Sequence, residues 1–260
     1  MKIKYAQFNV VMLSRPNFDD NALIHFLENE NLEWLRTGGS DAEELVEVAG
    51  RVCYLSFGKK RQSPKNNQDY IANLIAQGHE SVLEHVNWTF ILSGVSRGFT
   101  HQLVRHRAGF AYSQLSQQYH DESEALFVVP PSIERNETLF KEWSEDIYRS
   151  LNTYRKIIST VKDCTLSKRE SLRELRTAAR SALPNATETK IVVTANARAL
   201  RHFFNVRGSI EGDWEMRKVA CAVYDLVIKD APSLFPDFYK QKMLDGSHKL
   251  IKKPAVNLKN

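Results

Sequence analysis

The sequence predicts an α+β fold, with a central, mostly antiparallel sheet flanked by helices in a single domain. Three observations lead there. Segments with apolar residues at helical spacing outnumber stretches of β-branched and aromatic residues. The β-rich stretches stand far apart, without the strand–helix–strand alternation that builds a parallel sheet. No repeat, low-complexity tract or composition shift marks a boundary, so residues 1–245 read as one domain, with a basic tail over 246–260.

The elements follow in chain order. Met1 to Val10 alternates like a strand and lacks the apolar core of a secretory signal. Asp20 to Leu35 carries Leu23, Phe26, Leu27 and Leu32 at helical spacing. Asp41 to Leu55 repeats the pattern behind Ser40, a good N-cap. A third helix runs from Asn66 to Gln77 and stops at Gly78. VNWTFILSGV, from Val86 to Val95, is a strand, and Arg97 to Arg107 is helical. Phe127 to Pro131 is a short extended piece broken by two prolines. Helices run from Glu137 to Val161 and from Ser167 to Ala182, before Pro184. KIVVT, Lys190 to Thr194, is a second strand, followed by helices over Ala197–Val206 and Asp213–Ala231. The final GSHKLIKKPAVNLKN reads as a loose tail.

Composition bounds the function without choosing it. The 260 residues are 42% hydrophobic and 26% charged, ordinary for a globular chain. No apolar run approaches the roughly 20 residues a membrane span needs, and the cytoplasm is the expected compartment. Lys and Arg exceed Asp and Glu by 36 to 31, which favours anionic partners, nucleic acid or phosphorylated small molecules, without choosing between them. Cys53, Cys164 and Cys221 are isolated, so neither a disulfide framework nor a metal site is expected.

The most unusual segment is QLVRHRAGFAYSQLSQQY, Gln102 to Tyr119. Arg105, His106 and Arg107 on the last turn of a helix put cations near its negative end. The polar run Ser113, Gln114, Ser116, Gln117 and Gln118 follows. Guanidinium groups beside hydroxyls and amides suit a phosphate and a pyrimidine edge. Taken bare, an RHR tripeptide is only a solvated basic face.

RHR, a short spacer and S-x-x-Y resemble the signature of the flavin-dependent thymidylate synthases, and three further segments agree. GHESVLEH, Gly78 to His85, is similar to that family's GHxSxxEH; ARSALP, Ala179 to Pro184, to its ARxxLP. The block from Thr194 through Asn196, Arg198, His202 and Arg207 to Trp214 and Glu215 resembles its TxNxR…R…WE. The match spans about residues 40 to 238 with the motifs in order.

The resemblance implies C5 methylation of a uracil nucleotide, dUMP first, with methylenetetrahydrofolate as carbon donor, FAD as hydride source and NADPH as reductant of the flavin. It implies that Arg207 activates the pyrimidine by stabilising developing negative charge. Arg180 and Ser116 would hold the nucleotide, with Gln102, Arg105, Gln114, Gln117 and Gln118 beside them. FAD would be held by Ser81, Glu84, Arg105, His106, Arg107, Asn196, Arg198 and His202. It further implies a homotetramer with sites shared between subunits, and neither a membrane nor a nucleic-acid partner. No cysteine sits in a polar motif, so a covalent thiolate route lacks a candidate.

Three positions depart from the family pattern. Eight residues rather than seven separate Arg107 from Ser116, so the loop must bulge. Gln118 stands where the family has an arginine, and Glu211 where it often has a histidine. All three are expected on the nucleotide side. The alternatives are therefore a UMP methylase of the same family and, from another class, a non-catalytic nucleic-acid-binding module.

Overall fold

The computed structural model describes residues 3–58, 64, 66–160 and 168–254. Cys164, Val161, Ser167 and the tail from residue 255 onward lie outside the described residues. The strands are β1 (Lys4–Tyr5), β2 (Asn9–Ser14), β3 (Asn87–Ser96), β4 (Phe110–Gln114), β5 (Leu126–Phe127), β6 (Glu188–Asn196), β7 (Phe238–Lys242) and β8 (His248–Lys252). The helices are α1 (Asp20–Asn29), α2 (Asp41–Tyr54), α3 (Asn67–Ala76), α4 (Arg97–Leu103), α5 (Pro131–Glu134), α6 (Glu137–Ser159), α7 (Lys168–Ala179), α8 (Ala197–Arg207) and α9 (Trp214–Asp230). Short 3₁₀ turns cover Glu80–His85, Arg180–Ala182 and Pro232–Leu234.

Helices and strands are mixed, with an antiparallel sheet flanked by helices. The largest sheet has the order β2-β3-β6-β4. Leu115 N donates to Lys190 O while Asn196 N donates to Gly109 O, so β4 and β6 run in opposite directions. β1 pairs with β5 in parallel, and β7 with β8 antiparallel.

The chain divides into two compact units. The first takes Met1–Val11, Ile91–Arg105 and Tyr112–Val192; the second takes Met12–Phe90, His106–Ala111 and Val193–Asn260. Neither is one continuous stretch, and so no linker signals a boundary in the sequence. In the first unit, Ala125, Phe127, Ile147 and Leu151 form a buried cluster joined by Ile3, Trp143, Leu183 and Ala186. In the second, Phe204 of α8 packs edge-on against Tyr224, Phe235 and Phe238, and Trp88 lies 6.0 Å from Phe235.

Local chemistry explains the helix starts. Ser40 and Glu43 form a full capping box on α2: Glu43 N donates to Ser40 Oγ, and Ser40 N donates to Glu43 Oε2. Gly78, beyond α3, takes a φ of +72°, as its position past the helix end requires. Asn196 Oδ1 accepts Ala199 N at 2.8 Å and caps α8.

Two expectations are corrected. The helix predicted over Arg97–Arg107 ends at Leu103, so Arg105, His106 and Arg107 lie beyond it, not on its last turn. The Tyr112 hydroxyl donates to Leu103 O at 2.9 Å, a cap from outside the helix, and Arg105 N turns back to Gln102 O. The stretch read as a loose tail instead contains β8. An Asp245–Gly246 turn, with Gly246 at φ +83°, folds it back on β7.

Candidate active site

In the second unit, four chain segments converge on a cleft of about 560 Å³. The 3₁₀ turn Glu80–His85 contributes Glu80 and Glu84. The turn after RHR contributes Ala108 and Gly109. The start and middle of α8 contribute Asn196, Arg198, Ala199, Arg201, His202 and Asn205, and Lys252 of β8 also lines the cleft.

α8 places these groups by its period. Leu200, Phe203 and Phe204 point into the core, while Arg198 and His202, four residues apart, are exposed on the cleft side. Arg198 Nη1 donates to Glu84 Oε1 at 2.6 Å, tying the GHESVLEH segment to α8. Arg201 is buried and pairs with both oxygens of Asp237 at 2.7 and 2.8 Å. Such a pair, desolvated and bidentate, holds the helix in place instead of offering charge to a ligand.

Gly109 lets the chain approach α8. Its φ is +70°, and a Cβ there would stand 2.5 Å from Asn196 Nδ2 and 2.8 Å from the Ala199 Cβ. Only glycine fits both demands. The turn between Arg107 and β4 therefore passes close against α8 at this cleft.

Arg207 sits at the far end of α8. Its Nε donates to His106 Nε2 at 3.0 Å. An arginine Nε–H is always a donor, so His106 Nε2 is the acceptor of this bond. The His106 ring stands edge-on to Phe203 at 5.3 Å and lies 6.2 Å from His202. The two motif residues orient one another.

The first unit has its own polar cleft of about 540 Å³. Arg97, Thr100, His101, Gln114, Gln117, Thr177, Arg180 and Asn185 are among its lining. Gln114 Nε2 donates to Thr100 Oγ1 at 2.8 Å, and Gln117 is buried. Arg97 Nη1 donates to Leu115 O at 3.1 Å. Burial, joined by the like charge of Arg180, lowers the Arg97 pKa, against the attraction of Glu122. Two guanidinium groups that disfavour one another in a polar cleft suit a bound anion.

The predicted residues thus fall into sets. Glu84, Asn196, Arg198 and His202 line one cleft; Gln114, Gln117 and Arg180 line the other; Arg207 pairs with His106. Ser81, Gln102, Arg105, Arg107, Ser116 and Gln118 do not line either cleft. Gln118 Nε2 reaches Thr177 Oγ1 at 3.5 Å, and Gln118 N donates to Ser116 Oγ at 3.3 Å, so both hold the loop beside the second cleft. Arg105 and Arg107 are exposed.

Sequence reasoning missed Arg97 and Lys252. Arg97 opens α4, where a cation opposes the helix dipole, and that misplacement was the available signal. For Lys252 the signal was the Asp245–Gly246 dipeptide, which marks a hairpin.

Comparison with known proteins follows the same residues. The family model described as thymidylate synthase complementing protein matches residues 36–233. The chain is 38% identical over 229 residues to the flavin-dependent thymidylate synthase of Mycobacterium marinum, covering 87% of this chain and 91% of that one. It is 40% identical over 233 residues to that of Mycobacterium sp. strain JLS, with the same coverage. It is 38% identical over 225 residues to that of Mycobacterium tuberculosis strain H37Ra, covering 85% and 89%. With motifs in order, charged residues gathered in two clefts and relatives matched along most of their length, the chain belongs to the thymidylate synthase complementing family of flavin-dependent thymidylate synthases.

Proposed function

We propose that the protein methylates C5 of dUMP to give dTMP, with FAD as its flavin and methylenetetrahydrofolate and NADPH as co-substrates. The observation that carries the reading is the convergence of Glu84, Asn196, Arg198 and His202, from distant segments, on one cleft. Its size lies in the range of small-molecule sites. Its lining of guanidinium, imidazole, amide and carboxylate groups around a close-approaching glycine fits a ligand with phosphates and a flat polar ring. Bound there, FAD would supply the hydride that completes the methyl group.

The chain's own residues have separable tasks. Arg207, held by His106, offers a fixed positive charge to the carbonyl edge of the uracil, where negative charge develops as C5 becomes nucleophilic. Arg180 and Arg97 hold the phosphate, and Gln114 and Gln117 read polar edges of the nucleotide. Ser116 and Gln118 shape the loop carrying them, with Gln102 and Arg105 completing that side. Ser81, Arg105, His106 and Arg107 complete the flavin side. Sites are shared between subunits of a homotetramer in the cytoplasm, and the synthase-like domain spans residues 1–245.

The test is spectroscopic. Purified protein should be yellow and carry FAD, NADPH should bleach the flavin band anaerobically, and adding dUMP with methylenetetrahydrofolate should restore it. Colourless protein that takes up no added FAD would sink the reading.

A further inference from the structure

We infer that Lys252 binds a phosphate of the FAD diphosphate in the cleft of the second unit; this rests on the flavin reading above. Lys252 lies on β8, beyond the residues 36–233 that the family model matches, yet it lines the cleft together with the motif residues. Its position is fixed by backbone. Leu250 N donates to Gly208 O at 2.8 Å, and Lys253 N donates to Asp237 O at 2.7 Å, so β8 is locked to the end of α8. A Cβ at Gly208 would stand 2.8 Å from Leu250, which shows how closely the two elements meet.

The charges around it distinguish Lys252 from its neighbours. Arg198 holds Glu84 at 2.6 Å, and Arg201 takes both oxygens of Asp237. On the same hairpin, Lys240 is paired with Asp225 at 2.6 Å. Among the described residues the one ion pair of Lys252 is a 3.7 Å contact with Asp237, a carboxylate already engaged on both oxygens. Its ammonium lies 6.0 Å from the Phe238 ring, and its side chain is 40% exposed. A compact, hydrated ammonium with one weak partner, facing a cleft on a rigid strand, is suited to a phosphate oxygen. Beyond the paired Lys240, the hairpin adds Lys242, Lys249 and Lys253 against Asp245, so its field favours an anion at this rim.

The test uses the full-length protein, measuring FAD affinity by equilibrium dialysis of the released flavin. Lys252→Met keeps the aliphatic stem and removes the charge, while Lys252→Arg keeps the charge. Lys252→Met should raise the Kd for FAD about tenfold, and Lys252→Arg should stay within about threefold of the parent. The Kd of the parent should also rise more steeply with NaCl than that of Lys252→Met, because one screened charge pair is gone. An unchanged Kd in Lys252→Met overturns the assignment. So does a weaker Kd with an unaltered salt slope and a lowered Tm, which marks a structural role through Asp237. A raised KM for NADPH with unchanged FAD affinity assigns Lys252 to the reductant's phosphate and overturns it too. Parent protein that binds no FAD would instead remove the flavin reading, and this inference with it.

Discussion

Arg207 and His106 stand 101 positions apart and meet at 3.0 Å, and the proposed activation of the pyrimidine is assigned to this arginine. Removing a charge-stabilising donor of this kind costs about 100-fold or more in turnover. Arg207→Ala should therefore lose at least about 100-fold in kcat for dUMP, measured anaerobically by product formation, while still binding FAD. Near-normal turnover would remove Arg207 from its role. The cysteines make the opposite prediction. Cys53 is exposed, and Cys221 is buried with its thiol pushed up to about 11, first by burial. At pH 8 only about one Cys221 in a thousand is then thiolate, too few for a nucleophile to work from. Replacing Cys53, Cys164 and Cys221 together by serine should leave dTMP formation within a few-fold of the parent. A folded variant without activity would restore a covalent mechanism. Among the residues that line the clefts, the sequence named those that a motif carries, Glu84, Asn196, Arg198 and His202. It did not identify Arg97 or Lys252, whose places depend on how α4 begins and how a hairpin folds back.

At the scale of elements, local chemistry was legible where it acts over a few residues. The Ser40 cap, the stop at Gly78 and the Asn196–Ala199 cap follow from side chains within one turn of their targets. The end of α4 was not legible, because the Tyr112 hydroxyl that closes it comes from nine residues downstream, on β4. β4 itself, FAYSQ, is only five residues long and ends in the polar Ser113 and Gln114, so it does not stand out as a strand until its place beside β6 is known. The turn before it gives a sharp test. Gly109 and Gly212 both have positive φ, at +70° and +75°, but only Gly109 meets neighbours within 4 Å. Gly212→Ala should pay backbone strain alone, about 1 kcal/mol, whereas Gly109→Ala should cost about 1–3 kcal/mol more as Asn196 is displaced. Thermal unfolding of the two variants should rank them in that order. FAD affinity should fall in Gly109→Ala only. Equal Tm values with intact flavin binding would show that the approach of Gly109 to α8 does not matter.

For the molecule as a whole, the α+β class followed from the sparse, separated strands. Its division into two discontinuous units did not, since three of the strands that form the largest sheet are far apart in sequence and no linker marks the change. The motifs also divide, Arg180, Gln114 and Gln117 in one unit and Glu84, Asn196, Arg198, His202 and Arg207 in the other. The neutral Gln118 and the longer spacer left the nucleotide open between dUMP and UMP. The Gln118 amide nitrogen donates to Thr177 Oγ1 at 3.5 Å, and the relatives are named flavin-dependent thymidylate synthases. A site built to bond a substrate hydroxyl rejects the analogue lacking it by a large factor, so the two nucleotides separate the readings cleanly. The most direct measurement is anaerobic turnover of the FAD-loaded protein with NADPH, methylenetetrahydrofolate and either dUMP or UMP, with the products identified by mass. The prediction is dTMP from dUMP, one for each NADPH oxidised, at a kcat/KM well above that for UMP. Methylated product from UMP in preference, or none from dUMP while the flavin is still reduced by NADPH, would contradict it.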